Sequence, residues 1–281
     1  MPPTGKLYIV ATPIGNLGDI TYRAIETLKQ CDLVAAEDTR HTKRLLDRYG
    51  IAASLVSLHE HNEIKVIADL LKRLQRGESI AVVSDAGTPL VNDPGYQLVR
   101  TVVDSGGAVV SIPGPCALIA GLSVSGLATD RFTFLGFPPR TTTMRKSWFE
   151  SLLGLSGTLI FYESCHRILA CLKDLSEVFP AEREVAVARE LTKIHEAVIK
   201  TTISELLFLI DEDPNLNRGE LIVLVQGATN DDNNGHQLEA EHIQLLKTLL
   251  QECSVKTSAT LAARITGLSR KILYSAALEL K

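Results

Sequence analysis

The chain has 281 residues, 45% of them hydrophobic and 5% aromatic, with a net charge of −4. That length suits one large domain or two ordinary ones with substantial cores, and no apolar run reaches the ~18 residues that a bilayer crossing needs. The acidic balance argues against indiscriminate attachment to naked nucleic acid, although phosphate binding depends on where Lys and Arg sit. Met1-Pro2-Pro3-Thr4-Gly5-Lys6 lacks the basic-then-apolar form of a signal peptide. Cys31, Cys116, Cys165, Cys171 and Cys253 are scattered and include no C-x-x-C pair. Reduced thiols in a cytoplasmic setting are the expectation, rather than a disulfide framework or a zinc site.

Strands are predicted at the apolar runs 7–11, 33–36, 54–58, 80–83 and 108–112, with helices near 21–30, 40–48, 63–76 and 95–105. Ile64, Ile67, Ala68, Leu71 and Leu74 form a helical stripe, with Asn62 as a candidate N-cap and Gly77 as the stop. This alternation predicts an α/β fold with a mostly parallel first sheet.

After Pro113-Gly114-Pro115 the texture changes. A small-residue helix is predicted at 116–126 and a strand at 132–137, followed by a polar break, Pro138-Pro139-Arg140-Thr141-Thr142-Thr143, read as a mobile loop. Strands are then expected at 158–163, 184–189, 196–203 and 220–225, with helices near 166–178 and 204–210. Two consecutive strands within 184–203 imply an antiparallel hairpin and a mixed second sheet. Gly227 to Gln237 has the composition of a solvated linker. The boundaries follow as an N-terminal α/β domain 1–115, a second α/β domain 116–227, a linker 228–238 and a helical tail 239–281.

In the tail, Thr257–Thr266 and Arg270–Leu280 flank the turn Gly267-Leu268-Ser269, a helix-turn-helix-like pattern. From residue 254 on, Lys256, Arg264, Arg270, Lys271 and Lys281 face the single acid Glu279. A structural hairpin docked on the core and a nucleic-acid contact module are both open readings of that balance.

The chemistry concentrates in loops that follow the strands. Val10-Ala11-Thr12-Pro13-Ile14-Gly15-Asn16-Leu17-Gly18-Asp19 follows the first, and Ser84-Asp85-Ala86-Gly87-Thr88-Pro89-Leu90-Val91-Asn92-Asp93-Pro94-Gly95 follows the fourth. Strand ends of an open α/β sheet are where ligands bind, so two such loops predict a pocket. The first loop has Thr and Pro where a dinucleotide fingerprint needs glycine, and no G-x-x-x-x-G-K-[ST] loop occurs. NAD and nucleoside triphosphates are poor candidates.

These loops resemble blocks of the ribosomal RNA small subunit methyltransferase I group, within the tetrapyrrole methylase superfamily. So do Ala36-Glu37-Asp38-Thr39-Arg40, His59-Glu60-His61-Asn62, Ile112-Pro113-Gly114-Pro115-Cys116, Phe161-Tyr162-Glu163-Ser164, Glu190-Leu191-Thr192-Lys193 and Arg218-Gly219-Glu220. The resemblance runs in order along nearly the whole chain, tail included. It implies two α/β domains holding S-adenosyl-L-methionine between them, and 2′-O-methylation of a cytidine in the decoding region of 16S ribosomal RNA. It further implies action on the small ribosomal subunit, no membrane, and a homodimer. Tetrapyrrole-modifying members usually carry V-G-x-G-P-G-D in the first loop. Ala11-Thr12-Pro13-Ile14-Gly15-Asn16 departs from that form, which weakens a corrin or sirohaem reading.

On this reading the cofactor is held around Pro13, Asp85, Ala86, Gly87, Thr88 and Pro89, then Pro113, Gly114, Pro115 and Cys116, with Glu163 from the second domain. A ribose hydroxyl is a weak nucleophile, so a base or orienting acceptor is expected, typically worth ~10²–10⁴-fold. His61 is the preferred base and Arg40 the phosphate clamp, with Lys193 as a rival from the second domain. Arg40, His41, Lys43, Arg44 and Arg48 form one basic stretch for RNA, and Arg140, Arg145 and Lys146 another. The alternatives are a small-molecule tetrapyrrole methyltransferase, or a nucleic-acid-binding regulator with a ligand-sensing core.

Overall fold

The computed structural model describes residues 4–59, 62–212, 219–228, 240–268 and 270–280. In the first lobe the chain runs β1 (Lys6–Val10), α1 (Tyr22–Gln30), β2 (Leu33–Ala36), α2 (Thr39–Arg48), β3 (Leu55–Ser57), α3 (Glu63–Gln75), β4 (Ile80–Val83), α4 (Tyr96–Asp104) and β5 (Ala108–Ile112). The strands form one parallel sheet in the order β3-β2-β4-β1-β5. β2 and β4 are apolar at every position because helices cover both faces. Val34, Ala36, Ala81 and Val83 pack on Ala24 and Leu28 of α1 and on Leu45 and Leu46 of α2. Their alternating neighbours Leu33, Ala35, Ile80 and Val82 pack on α3 and α4 through Leu70, Leu74, Leu98 and Val102.

Helix starts follow local chemistry. Thr21 caps α1 by accepting the Ala24 N–H at 3.1 Å, and Asp38 caps α2 by accepting the Arg40 N–H at 2.8 Å. Asn62 stands at the N-cap position of α3 without capping it. Its side chain instead accepts the His59 N–H at 2.8 Å and donates to the Ser57 carbonyl at 2.9 Å, bracing the chain behind it. Gly77 follows the end of α3 with φ +90°, a left-handed stop that glycine adopts without a Cβ clash. The buried stripe of α3 also differs from the expected one. Leu70 and Leu74 are buried, whereas Ile64 is 84% exposed. The helix meets α4 and the sheet through the turn around Leu70, and Ile64 lies outside that contact.

The second lobe contains α5 (Ala117–Val124), β6 (Phe132–Phe134), α6 (Thr142–Leu152), β7 (Thr158–Ser164), α7 (Ile168–Val178), β8 (Glu184–Arg189), β9 (Ala197–Thr202), α8 (Ile203–Glu212) and β10 (Glu220–Val225). Its sheet runs β6-β7-β10-β8-β9, with β6 parallel to β7 and the other neighbours antiparallel. One face packs through Leu159, Phe161, Val187 and Val223 onto Phe149 of α6, Leu172 of α7 and Leu206 of α8. The other face, with Ile160, Ala186 and Ile222, meets Leu118 and Leu122 of α5 and reaches Ile14 of the first lobe.

The loop expected at 138–143 to be mobile is pinned instead. Arg145 is 2% exposed and its guanidinium lies 2.5 Å from Asp174, while its Nη1 donates to the Pro139 and Arg140 carbonyls. Arg145 is therefore an internal strut and cannot meet RNA, and Lys146 is paired with Glu177. The charge pattern there does not make an open basic face.

α9 (Ala240–Glu252), α10 (Val255–Thr266) and α11 (Arg270–Glu279) complete the described chain. They close around their own core of Leu246, Ala259, Ala262, Leu273 and Ala277. α10 starts at Val255, ahead of the expected Thr257, because the Ser254 side chain accepts the Thr257 N–H. Among the described residues no helix is long and apolar enough to cross a membrane.

Candidate active site

The loops at the carboxyl edge of the first sheet are fastened to one another by short polar contacts. The Thr12 N–H donates to the Gly87 carbonyl at 2.8 Å, and the Gly87 N–H returns a bond to the Thr12 carbonyl at 3.1 Å. Thr12 Oγ1 donates to the Ser84 carbonyl at 3.2 Å, and Thr88 Oγ1 to the Pro115 carbonyl at 3.0 Å. Asp85 holds the edge from the other side, accepting the Asp38 N–H at 3.0 Å. The loops after β1, β2, β4 and β5 thus share one frame. Gly87 sits at φ +82°, and a Cβ there would also press on Ile14 Cγ2 at 3.3 Å.

The opposing rim comes from the second lobe. Glu190 and Thr192 both have left-handed backbones, with φ +50° and +67°. Such backbone persists where surrounding contacts over-determine it, and often near functional sites. Here Lys193 Nζ lies 3.0 Å from Glu190 Oε1 and 3.3 Å from Glu220 Oε2. Glu190 Oε1 also accepts the Glu220 N–H at 2.9 Å. A second left-handed pair, Leu90 and Asn92 at φ +71° and +69°, lies on the first-lobe rim.

Between the rims lies a cleft of about 690 Å³, within the usual range for small-molecule sites. Ala86, Gly87 and Thr88 line it from one lobe, and Tyr162, Glu190 and Lys193 from the other. Among the described residues, four that line it carry carboxyl groups, Asp93, Glu163, Glu190 and Glu220, against Lys193 as the lining cation. Burial pushes the Asp93 carboxyl above its ordinary value; a Ser84 hydrogen bond opposes this and the Asp85 charge adds to it. Burial also pushes the Tyr162 phenol up to about 12, so it stays a neutral hydroxyl. That hydroxyl accepts the Leu118 N–H at 3.2 Å, serving the first turn of α5, where the Cys116 side chain makes no cap.

The Glu190–Lys193 pair is held in its ionised form. The Glu220 N–H, and then Lys193, pull the Glu190 carboxyl below its ordinary value against burial. For Lys193 burial is the largest single influence and acts downward. The Glu190 and Glu220 carboxylates together outweigh it, so the ammonium is raised. The Lys193 ammonium is thus held charged between two carboxylates.

The expected site residues fall into separate groups. Ala86, Gly87, Thr88, Cys116, Glu163 and Lys193 meet in the cleft. Pro13 and Pro89 are buried within the loops, and Asp85 braces them, without lining the cleft. Pro113, Gly114 and Pro115 do not line the cleft; Pro113 and Gly114 are exposed, and a Cβ on Gly114 would stand 3.1 Å from Ala11 Cβ. Arg40 is outside the cleft, with its side chain 88% exposed and 3.0 Å from Asp38. His61 lies outside the described residues. The structure adds Asn92, Asp93, Tyr162 and Glu190 to the cleft. All four stand in blocks that the sequence singled out, but nothing local marks which of their side chains face inward.

A cationic, amino-acid-bearing ligand fits this wall. Carboxylates favour sulfonium and ammonium charge, while Ile14, Leu191 and Ile222 offer apolar surface to a flat base. The same acids disfavour a polyphosphate.

A sequence model described as Tetrapyrrole (Corrin/Porphyrin) Methylases matches residues 6–207. Among solved structures, a uroporphyrin-III-C-methyltransferase from Thermus thermophilus superposes with a TM-score of 0.56 at 20% identity, covering 79% of this chain and 94% of that one. A cobalt precorrin-4 methyltransferase gives a TM-score of 0.57 at 18% identity, covering 79% and 94%. The two-lobed architecture with its interlobe cleft is thus that of the tetrapyrrole methylases.

A further model, described as RsmI C-terminal HTH domain, matches residues 236–281. A protein of Escherichia coli O157:H7 named Ribosomal RNA small subunit methyltransferase I is 48% identical, covering 98% of this chain and 95% of its own length. The Haemophilus influenzae protein of that name is 46% identical, covering 96% and 95%. Within the tetrapyrrole methylases, the chain belongs to the ribosomal RNA small subunit methyltransferase I family.

Proposed function

We propose that this protein transfers a methyl group from S-adenosyl-L-methionine to the 2′-oxygen of a cytidine ribose in the decoding region of 16S ribosomal RNA. It acts on the small ribosomal subunit, in the cytoplasm, as a homodimer. The observation that carries this reading is an acid-walled interlobe cleft in a chain similar, over nearly its full length, to proteins named for small-subunit ribosomal RNA methylation.

When bound, the cofactor supplies a methyl group on a positively charged sulfur. The protein's task is chiefly alignment, which can lower a barrier by roughly 7–11 kcal/mol. Ala86, Gly87, Thr88, Cys116 and Glu163 form the holding surface, and Pro13, Asp85, Pro89, Pro113, Gly114 and Pro115 keep its loops in shape. Lys193, kept charged by Glu190 and Glu220, orients an oxygen or a carboxylate. Arg40 offers an exposed guanidinium to a phosphate.

The acceptor's proton has two candidate receivers. His61 is proposed from its position just after β3, and Asp93 from its place in the cleft with a raised carboxyl pKa, which makes it a stronger base than an ordinary carboxylate. Comparing His61→Ala with Asp93→Asn separates them, because only loss of the true base removes the acidic limb of the pH–rate profile.

The reading is tested by incubating purified protein, labelled S-adenosyl-L-methionine and small subunits that lack the modification. Mass spectrometry then maps ribose methylation. Label at a single cytidine 2′-oxygen of 16S RNA is the expected result. Label on a base atom, or transfer only to a uroporphyrinogen control, overturns it.

A further inference from the structure

Among the described residues, Phe137 is the one large apolar side chain that lines the cleft while remaining 52% exposed to solvent. Its segment is built to hold still. The Leu135 N–H donates to the Ile160 carbonyl and the Tyr162 N–H to the Gly136 carbonyl, both at 2.8 Å, so the chain before Phe137 is stitched to β7. Beyond it, the Pro138 and Pro139 carbonyls accept from Arg167 Nη2 at 2.7 and 3.0 Å. Arg145 takes the Pro139 carbonyl at 3.3 Å and the Arg140 carbonyl at 3.4 Å. Both guanidiniums are anchored in turn, Arg145 on Asp174 and Arg167 on Glu163 at 3.2 Å. The ring meets Tyr162 in a T-shaped contact, with centroids 5.6 Å apart.

Two prolines and two anchored arginines are a large investment in fixing one exposed ring. A half-exposed phenyl group loses hydrophobic stabilisation unless something covers it, and a rigid ring binds a flat partner with little further loss of conformational entropy. The exposed Arg140 stands three residues on, in the same pinned segment, its carbonyl held by Arg145. An aromatic face with a nearby cation suits an unstacked nucleotide, the base on the ring and the phosphate on the guanidinium.

Resting on the methyl-transfer reading above, we propose that Phe137 is the platform on which the base of the acceptor nucleotide stacks, fixing its ribose at the mouth of the cleft. The ring is a substrate-binding group, and Arg145 and Arg167 position it through the backbone.

The test compares Phe137→Leu, Phe137→Ala and Phe137→Trp in the full-length protein, measuring S-adenosyl-L-methionine affinity by calorimetry and methyl transfer to small subunits. Stacking on one ring is worth about 1–3 kcal/mol, so Phe137→Leu should raise KM for the subunit by roughly 5- to 150-fold. Cofactor affinity should stay unchanged and Phe137→Trp should restore KM. Phe137→Leu keeps apolar bulk, so a folding defect is not the expected cause of its phenotype, and thermal melting checks this. Unchanged KM in Phe137→Leu overturns the proposal while leaving the methyl-transfer reading intact. Weakened cofactor binding with unchanged subunit KM also overturns it, assigning the ring to the cofactor instead. Absence of RNA methylation by the unaltered protein defeats the underlying reading itself.

Discussion

Gly15 of the first lobe lies so close to Lys193 of the second that a Cβ on Gly15 would stand 2.6 Å from Lys193 Cγ. The same Cβ would come within 2.9 Å of Thr192 Oγ1. The first-lobe loop and the Glu190–Lys193 loop therefore interlock at the edge of the cleft, and glycine is what permits it.

Gly15→Ala should displace Lys193 or part the two rims. Misplacement of a positioning group by about 1 Å can cost on the order of 10²-fold in rate. A loss of about 10- to 100-fold in methyl transfer is expected, with only a small fall in melting temperature because Gly15 is exposed. Steady-state kinetics beside thermal melting checks the separation.

The Glu190 carboxyl titrates below its ordinary value of 4.5 in the folded state. A lowered folded pKa stabilises the fold above the unfolded value, and that stabilisation is lost as pH falls through the folded pKa. Glu190→Gln should therefore be less stable than the unaltered protein at pH 7, and the difference should shrink below about pH 4.5. Urea unfolding at pH 7 and pH 3 measures it; a difference that grows on acidification contradicts the assignment.

Arg145 and Asp174 form a buried pair with side chains 3% and 8% exposed. Removing one partner leaves the other charge stranded, typically at a cost of 3–5 kcal/mol. Arg145→Ala should destabilise the protein by about that much, and the salt dependence of RNA binding in the folded fraction should stay unchanged. A change in that dependence without a loss of stability would return Arg145 to the RNA surface.

Arg40, Lys43 and Arg44 lie exposed along α2. If they meet phosphates, each neutralised contact contributes about 0.7–0.9 to the slope of log affinity against log salt. The triple alanine variant should flatten that slope by up to about 2–3 in small-subunit binding and leave cofactor affinity alone. An unaltered slope removes α2 from the interface.

Much of the scaffold was legible because its signals are local. Leu33–Ala36 and Ile80–Val83 are apolar at every position, as strands buried on both faces must be, and the hairpin within 184–203 follows from two strand patterns with no helix between them. The α3 stripe was harder. Ile64, Ile67, Ala68, Leu71 and Leu74 satisfy a helical period, but so do Ile67, Leu70, Leu71 and Leu74, and contact with α4 and the sheet selects the second set. The segment 138–143 was misread because prolines and threonines look the same in a free loop as in one whose carbonyls are held by Arg145 and Arg167.

The same division holds for the cleft. Ala86, Gly87 and Thr88 were recognisable because a glycine-bearing turn at a strand end is a local signature. By itself the amino-acid order determined the layers, the loops and the family blocks, since all of these depend on neighbours a few residues apart. Only the tertiary structure decided that Asp93, Tyr162 and Glu190 face one cavity, that Arg145 is a strut and that Phe137 stands exposed at the mouth. Those outcomes depend on distances between groups remote in sequence, set when two lobes close on each other, and no local period records them.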